Sequence, residues 1–289
     1  MTTDQTEFSA RQVRDPGLSR LIVNGADATA FLEAQSMTSL ATLEDRRLSR
    51  CAFADNKGRV IATATAWHTG TDWRLILPTE EAEWFVSHLL RFRFRSRVEI
   101  GVTDWAVAAL FGKSVAPALA AAHPKVPDAG TVSVEDDLEI AATSDERYLI
   151  AGETTRMATT LDVLATECGD TDRMHWHGVC MQAGEVALCE ATRGQFLPQS
   201  LNFDTHGVIS WNKGCYPGQE IIARLQHRGT VKHRMLLLAT ELDAPLGKRI
   251  GINDVPVEVV DRGTLPDGKN ITQVVAPYPL DPKLEALQA

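Results

Sequence analysis

The apolar pattern changes character near residue 234, and that change constrains the fold more than any other feature of the chain. Upstream, a short apolar run at 18–23 and strand-like runs at 48–54, 59–67, 73–77, 105–111, 138–142 and 147–151 are interleaved with helical patterns at 27–37, 79–90, 114–122 and 154–168. The interleaving is irregular and lacks the steady βαβ rhythm of a doubly wound sheet, so an α+β architecture is expected. Downstream, only short apolar runs remain, at 235–239, 255–260 and 271–275, separated by Pro/Gly turns. Such text predicts a small all-β module.

A length of 289 residues accommodates two domains or one large composite one, and 44% hydrophobic against 23% charged residues excludes a wholly disordered chain. The net charge of −9 argues against wholesale coating of a polyanion but leaves room for a local basic patch. Five cysteines (Cys51, Cys168, Cys180, Cys189, Cys215), odd in number and scattered, are no disulfide framework and fit a reducing compartment. No apolar run approaches the roughly 18 residues of a membrane span. The first twenty residues carry Asp4, Glu7 and Asp15 and no apolar core, unlike a signal or transit peptide. A cytoplasmic location is expected.

Several motif-like stretches fail on spacing. Gly112-Lys113-Ser114 invites a phosphate-loop reading, but the required upstream glycine position is Val107. His175-x-His177-x-x-Cys180 groups ligand-type residues without a second cluster to complete a four-ligand zinc site. No G-x-S-x-G elbow marks a serine triad. Residues 91–97 alternate Arg91, Arg93, Arg95 and Arg97 with Phe92 and Phe94, which predicts a strand with both phenylalanines buried. The arginine stripe is then either a solvated face or an anion-binding one.

The informative segment is 194–234. Its centre, Lys213-Gly214-Cys215-Tyr216-Pro217-Gly218-Gln219-Glu220, sets one cysteine between two glycines and a proline, ahead of a helical run at 220–226. Pro217 suits a first helical turn, Cys215 then lies just before a helix N-terminus, and Lys213 is two residues away. Both neighbours favour a thiolate. Simple packing of a cysteine beside a glycine turn is the alternative. Arg224, His227, Arg228, Lys232, His233 and Arg234 follow as a basic stretch with no acid between Glu220 and Glu241.

The octapeptide at 213–220 resembles the K-G-C-[YF]-x-G-Q-E signature of the YgfZ-type folate-binding proteins of iron–sulfur cluster assembly, relatives of the glycine cleavage T-protein aminomethyltransferase. Residues 194–199 upstream, Arg224, Arg228-Gly229 and 232–234 downstream agree with it. So do Gly25-Ala26-Asp27 with Gln35, the turn at 55–59 and the segment 91–100 in the N-terminal half. The resemblance implies a T-protein-like three-part ring of two α+β subdomains and a small C-terminal β-barrel. The parts would be 15–102 plus 180–233 (ferredoxin-like, carrying the signature), 103–179, and 234–289. It further implies a tetrahydrofolate-type ligand in a central cavity. A family tryptophan linked to folate, eight residues before an Ala-Gly glycine, corresponds to Trp176 before Gly184. A second such position, seven residues before the Gly25 glycine, is Leu18 here, a departure at the folate site. Trp176 is read equally well as a buried core aromatic.

Folate offers a flat pterin for stacking and carboxylates for arginine. Arg224, Arg228, Gln219, Glu220 and the Arg93/Arg95 pair are the candidates to bind it. Cys215 is the candidate functional thiol, with Lys213 beside it. One cysteine cannot hold a cluster alone, so any ligation through Cys215 is transient and shared with a partner protein, a second chain or glutathione. The expected function is a folate-binding accessory factor for iron–sulfur cluster assembly or repair, serving assembly proteins or apo iron–sulfur enzymes, rather than a classical enzyme. The alternative is a tetrahydrofolate-dependent aminomethyl transferase, with Asp27, Asp55 or Glu220 as base. A tRNA-related binding protein ranks third.

Overall fold

The computed structural model describes residues 9–123, 125–135, 137–240 and 242–289. Asp4 and Glu7 of the acidic start, and Pro124 after the alanine-rich helix, lie outside the described residues. Strands β1 (Arg11–Val13) and β2 (Leu18–Asn24) precede helix α1 (Ala28–Gln35). The meander β3 (Ser49–Ala54), β4 (Val60–Thr69), β5 (Asp72–Pro78) leads into α2 (Thr79–Leu90) and β6 (Glu99–Val102). Next come β7 (Ala106–Phe111), α3 (Val115–Ala122), β8 (Val132–Val134), β9 (Leu138–Ser144), β10 (Arg147–Gly152), α4 (Thr154–Leu164) and β11 (Gly169–Asp170). Helix α5 (Arg173–Gln182) opens a long irregular stretch holding one 3-10 turn (Pro198–Leu201), which ends in α6 (Gln219–Arg228). The remainder is β12 (His233–Leu238), β13 (Arg249–Ile252), β14 (Val255–Thr264), β15 (Asn270–Pro277) and the short α7 (Pro282–Glu285).

Three sheets result. The first is antiparallel, in the order β3-β4-β5-β2-β6. Its outer face packs on α1 and α2, where Leu21, Val23, Phe53, Trp73, Leu75 and Leu77 meet Phe31, Leu32, Phe85 and Leu89. The second has the order β11-β1-β7-β10-β9-β8 and puts Leu110, Ile140, Tyr148 and Ile150 against Val115 and Leu119 of α3 and Met157 and Leu161 of α4. The two inner faces meet through Trp67, Ile76, Phe111 and Leu149, with Trp176 of α5 in the same cluster. Period two makes this double use possible: along β4, Ala64 and Ala66 face the helices while Trp67 faces the other sheet.

A buried charge network also crosses between these sheets. Arg20 of β2 donates from Nε and Nη2 to the two carboxylate oxygens of Glu139 on β9, at 2.8 and 2.9 Å, and Arg74 of β5 adds a contact at 3.1 Å. The Arg20 guanidinium also sits 4.1 Å over the Trp105 ring. Two cations on one carboxylate satisfy a group that could not otherwise be buried.

The mixed α+β organisation matches the sequence expectation, as does the all-strand pattern of the C-terminal part apart from α7. That part is an antiparallel sheet in the order β12-β15-β14-β13, with no ladder joining β12 to β13 among the described residues, so it is an open sheet and not a closed barrel. Residues 91–97 are a second correction: they form turns, not a strand. Phe94 takes φ +41 and is 85% exposed, while Phe92 packs on the first core. The alternation is real, but α2 ends at Leu90 and the chain must turn before it can enter β6 at Glu99. The helix expected over 154–168 stops at Leu164, and the last residues close as turns.

Candidate functional site

The signature stretch is fixed on both sides of its cysteine. Lys213 reaches back to the end of α1, where Nζ donates to the carbonyls of Glu33, Ser36 and Thr38 at 2.8, 2.7 and 2.9 Å. It also pairs with the Glu33 carboxylate at 3.2 Å, and its side chain is only 1% exposed. Burial pulls this ammonium below its ordinary value, with Glu33 working the other way. Tyr216 is buried among Met37, Phe196 and Ile222. Cys215 lies between these two anchors and is exposed.

The glycines of the stretch do different work. Gly218 is the residue before α6, in the left-handed region at φ +75, and a Cβ there would stand 2.5 Å from Gly58 Cα. Only glycine permits both the conformation and the approach. The partner is the turn at 55–58, in which Asp55 Oδ1 accepts from the Lys57 and Arg59 amides at 2.8 and 2.9 Å. Two motifs that are 160 residues apart, Gly58 and Gly218, are therefore one structural unit. Pro217 precedes the cap instead of occupying the first helical turn, and Cys215 stands four residues ahead of Gln219, the first residue of α6.

A cavity lies elsewhere, where the three sheets converge. It is a mostly apolar recess that opens to solvent. The first sheet contributes Arg50, Thr63, Thr65 and Ile76, and the second Leu149. Helix α5 contributes Trp176, His177 and Cys180, and Asp261 comes from β14. Two features of α5 aim it there. Asp172 caps its start, accepting from the Met174 and His175 amides. Gly178 lets the helix run directly against the β14 backbone at Thr264, where any Cβ would collide. Trp176 is 4% exposed and packs near Phe111, ring centroids 6.5 Å apart, so it is at once core residue and cavity wall.

The charged wall residues His177, Asp261 and Glu185 are paired. His177 Nδ1 lies 3.1 Å from Asp261 Oδ2. Burial disfavours the charged imidazole, but the hydrogen bond and charge of Asp261 outweigh this and raise its pKa above the ordinary histidine value. Arg147 pairs with Glu185 at 2.9 Å and donates to the Cys180 thiol at 3.7 Å. Burial, reinforced by Glu185, pushes that thiol well up despite Arg147. The three ligand-type residues of the His175–Cys180 cluster thus face different partners, since His175 bonds to Asp172 and Thr171. Among the described residues no group of three His, Cys, Asp or Glu is placed to hold a metal ion.

Of the residues singled out in the sequence, Lys213, Cys215, Gln219, Glu220, Arg224 and Arg228 share the signature loop and α6, with Cys215, Glu220, Arg224 and Arg228 exposed. None of them lines the cavity; Trp176 does. The basic stretch therefore does not line the cavity that the resemblance assigns to folate. Arg93 and Arg95 line a separate surface groove beside Gly25 and Ala26. The three carboxylates considered as bases also lie away from the cavity lining: Asp27 pairs with Arg97, Asp55 organises its turn, and Glu220 is on α6. Arg50 and Asp261, which do line it, carry no local sequence motif. His177 stood out only as part of a metal-type spacing.

Among the described residues no helix is long and apolar enough to cross a membrane, and all five cysteines are free. No protein-family model matches the chain. It is 29% identical over 219 residues to a protein named tRNA-modifying protein YgfZ from Pectobacterium carotovorum, a match covering 74% of this chain and 66%, just under two thirds, of that relative. A protein of the same name from Klebsiella pneumoniae is 27% identical over 275 residues, covering 90% of this chain and 83% of the relative. The glycine cleavage system aminomethyltransferase T of Bartonella henselae superposes with a TM-score of 0.78 at 15% identity, over 94% of this chain and 80% of that one. Over most of its length, then, the chain is a homologue of proteins named YgfZ, built on the fold of the glycine cleavage T-protein.

Proposed function

We propose that this protein is a folate-binding accessory factor for the assembly or repair of iron–sulfur clusters, with Cys215 as its functional thiol. The observation that carries the reading is the cavity between the three sheets of a T-protein fold, with Trp176 in its wall. The lining residues have the chemistry such a ligand needs. Trp176, Ile76 and Leu149 offer apolar surface to a pterin and aminobenzoyl group, and Arg50 offers a guanidinium to a carboxylate. A bound tetrahydrofolate would supply a one-carbon carrier. Cys215 supports the second half of the reading because its neighbours are fixed and it alone is left outside. Client proteins or glutathione would complete any cluster ligation at this thiol. A cytoplasmic site of action agrees with five free thiols.

The test is genetic. Deleting the gene should lower the activity of several iron–sulfur enzymes, most under oxidative stress, and Cys215→Ser should fail to restore them. Normal activities in the deletion strain would sink the accessory role, and full rescue by Cys215→Ser would remove the thiol from it. The aminomethyl transferase reading is weaker, because Asp27, Asp55 and Glu220 are not in the cavity lining. One observation favours an RNA partner as a second reading. The loop at 91–97 presents Phe94, 85% exposed, among arginines in a chain of net charge −9. Exposed rings flanked by guanidinium groups suit stacking on unpaired bases, and the relatives' name mentions tRNA. Binding of a labelled tRNA that weakens steeply with salt, and is lost in Phe94→Ala with Arg93→Ala and Arg95→Ala, would establish it.

A further inference from the structure

His177 is a cavity-wall group that is firmly anchored and still keeps one polar atom unengaged. Thr63 Oγ1 donates to Val186 O at 2.7 Å, and Arg50 Nη1 donates to Ala183 O at 3.1 Å. Glu185 is held by Arg147, and Asp261 accepts from both His177 and the Arg262 amide. The imidazole is also anchored, but through one nitrogen only. Nδ1 is engaged by Asp261, which leaves Nε2 as the nitrogen with no protein partner on a residue that lines the cavity. An oriented ring with one free nitrogen in an apolar recess is a ready hydrogen-bonding post.

We propose that His177, held in place by Asp261, is the hydrogen-bond donor that fixes a bound heterocycle in this cavity, and that ligand binding thereby engages the C-terminal sheet. The proposal rests on the folate reading for the identity of the heterocycle and goes beyond it by naming the group that holds the ring. Asp261 belongs to β14 and His177 to α5, so a ligand on Nε2 draws on a contact between the C-terminal sheet and the rest of the molecule. Asp261 is a positioning residue, since it acts through the imidazole.

The pH dependence follows from the groups around the ring. Arg173 on α5 opposes the charge, while Glu80 at the start of α2 and Asp261 favour it. Glu185 stands in the same wall, paired with Arg147 behind it. Below the raised pKa the imidazolium carries a proton on each nitrogen, and Nε2–H donates to an acceptor on the ligand. Above it, the Nδ1 proton stays with Asp261 and Nε2 can only accept. Affinity should therefore fall as pH rises through that value.

The probe is 5-formyltetrahydrofolate, titrated calorimetrically into the intact protein from about pH 6 to about pH 9. The wild type should weaken about tenfold across that range, a charge-assisted hydrogen bond being of that order. His177→Gln should bind about tenfold less tightly at the low end and show no pH dependence. Asp261→Asn should keep a pH-dependent affinity with its midpoint moved to lower pH, a shift that a merely structural role for Asp261 would not produce. Melting temperatures recorded for each variant establish folding; if His177→Gln does not fold, the midpoint in Asp261→Asn decides. Wild-type affinity and profile in His177→Gln, or an unmoved midpoint in Asp261→Asn, overturns the proposal. A wild type that binds without pH dependence overturns it and leaves the folate reading intact, whereas a wild type that binds no folate overturns the folate reading itself.

Discussion

Cys215 and the four other cysteines differ in environment more than in sequence context. Burial pushes the Cys51 thiol up to about 12 and the Cys168 thiol up to about 11, and Cys180 is raised as well. Cys215 is exposed, between a lysine and a tyrosine that are both held inside. Thiolates react and thiols do not. Native protein treated with iodoacetamide at neutral pH should thus be alkylated at Cys215 before Cys51, Cys168 and Cys180, as read by peptide mass spectrometry. Equal labelling of Cys51 or Cys180 would contradict this picture. In the sequence the glycines and the signature single out Cys215, and the structure leaves it exposed. The sequence pairs the cysteine with Lys213 because they are two residues apart. In the structure the ammonium turns inward to three carbonyls that belong to residues 33–38. Arg50 shows the opposite case. Nothing around it distinguishes it from other strand arginines, and only the convergence of three sheets gives it a cavity to face.

At the scale of elements, the two turns at 55–58 and 214–218 behave as one. Gly218→Ala would force a Cβ into the left-handed region and against Gly58, and should cost about 1–3 kcal/mol in a urea or thermal melt. Gly214→Ala is the control, because a Cβ there meets nothing within 4 Å. If the two substitutions had the same effect, the contact between the turns would carry no weight. Most elements of the first two sheets were legible, since β3, β4, β5, β7, β9 and β10 have period-two or dense apolar runs bounded by turn residues. Helix α5 was not. Its sequence, Arg-Met-His-Trp-His-Gly-Val-Cys-Met-Gln, has no clean apolar stripe, because one side packs on β14 through a bare glycine and another faces the cavity. Strand β1 was missed for a related reason. Three residues long, it gains its place by pairing with β7 and β11, which come some 95 and 155 residues later. The stretch 91–97 errs the other way, a period-two pattern without a sheet to join.

At the scale of the whole molecule, the account depends on three sheets being held around one space. The Arg20–Glu139–Arg74 network is one tie across it, linking residues 119 and 65 positions apart, and no sequence pattern announces such a pairing. Glu139→Gln would leave two buried guanidinium groups facing a neutral amide. It should destabilise the protein by about 3–5 kcal/mol, read as a lowered melting temperature. An unchanged melt would mean that the two sheets do not rely on this tie. The architecture was readable as α+β with a strand-rich end, while the cavity was not readable at all, because its wall is assembled from eight separate stretches of chain from Leu18 to Asp261. Its content is also the central claim. Thermal shift of the wild type with increasing 5-formyltetrahydrofolate is the most direct test. The account predicts a saturable rise in melting temperature that is lost in Trp176→Ala, weakened in Arg50→Ala and retained in Cys215→Ser. No shift in the wild type, or a shift that survives Trp176→Ala and Arg50→Ala unchanged, would contradict it.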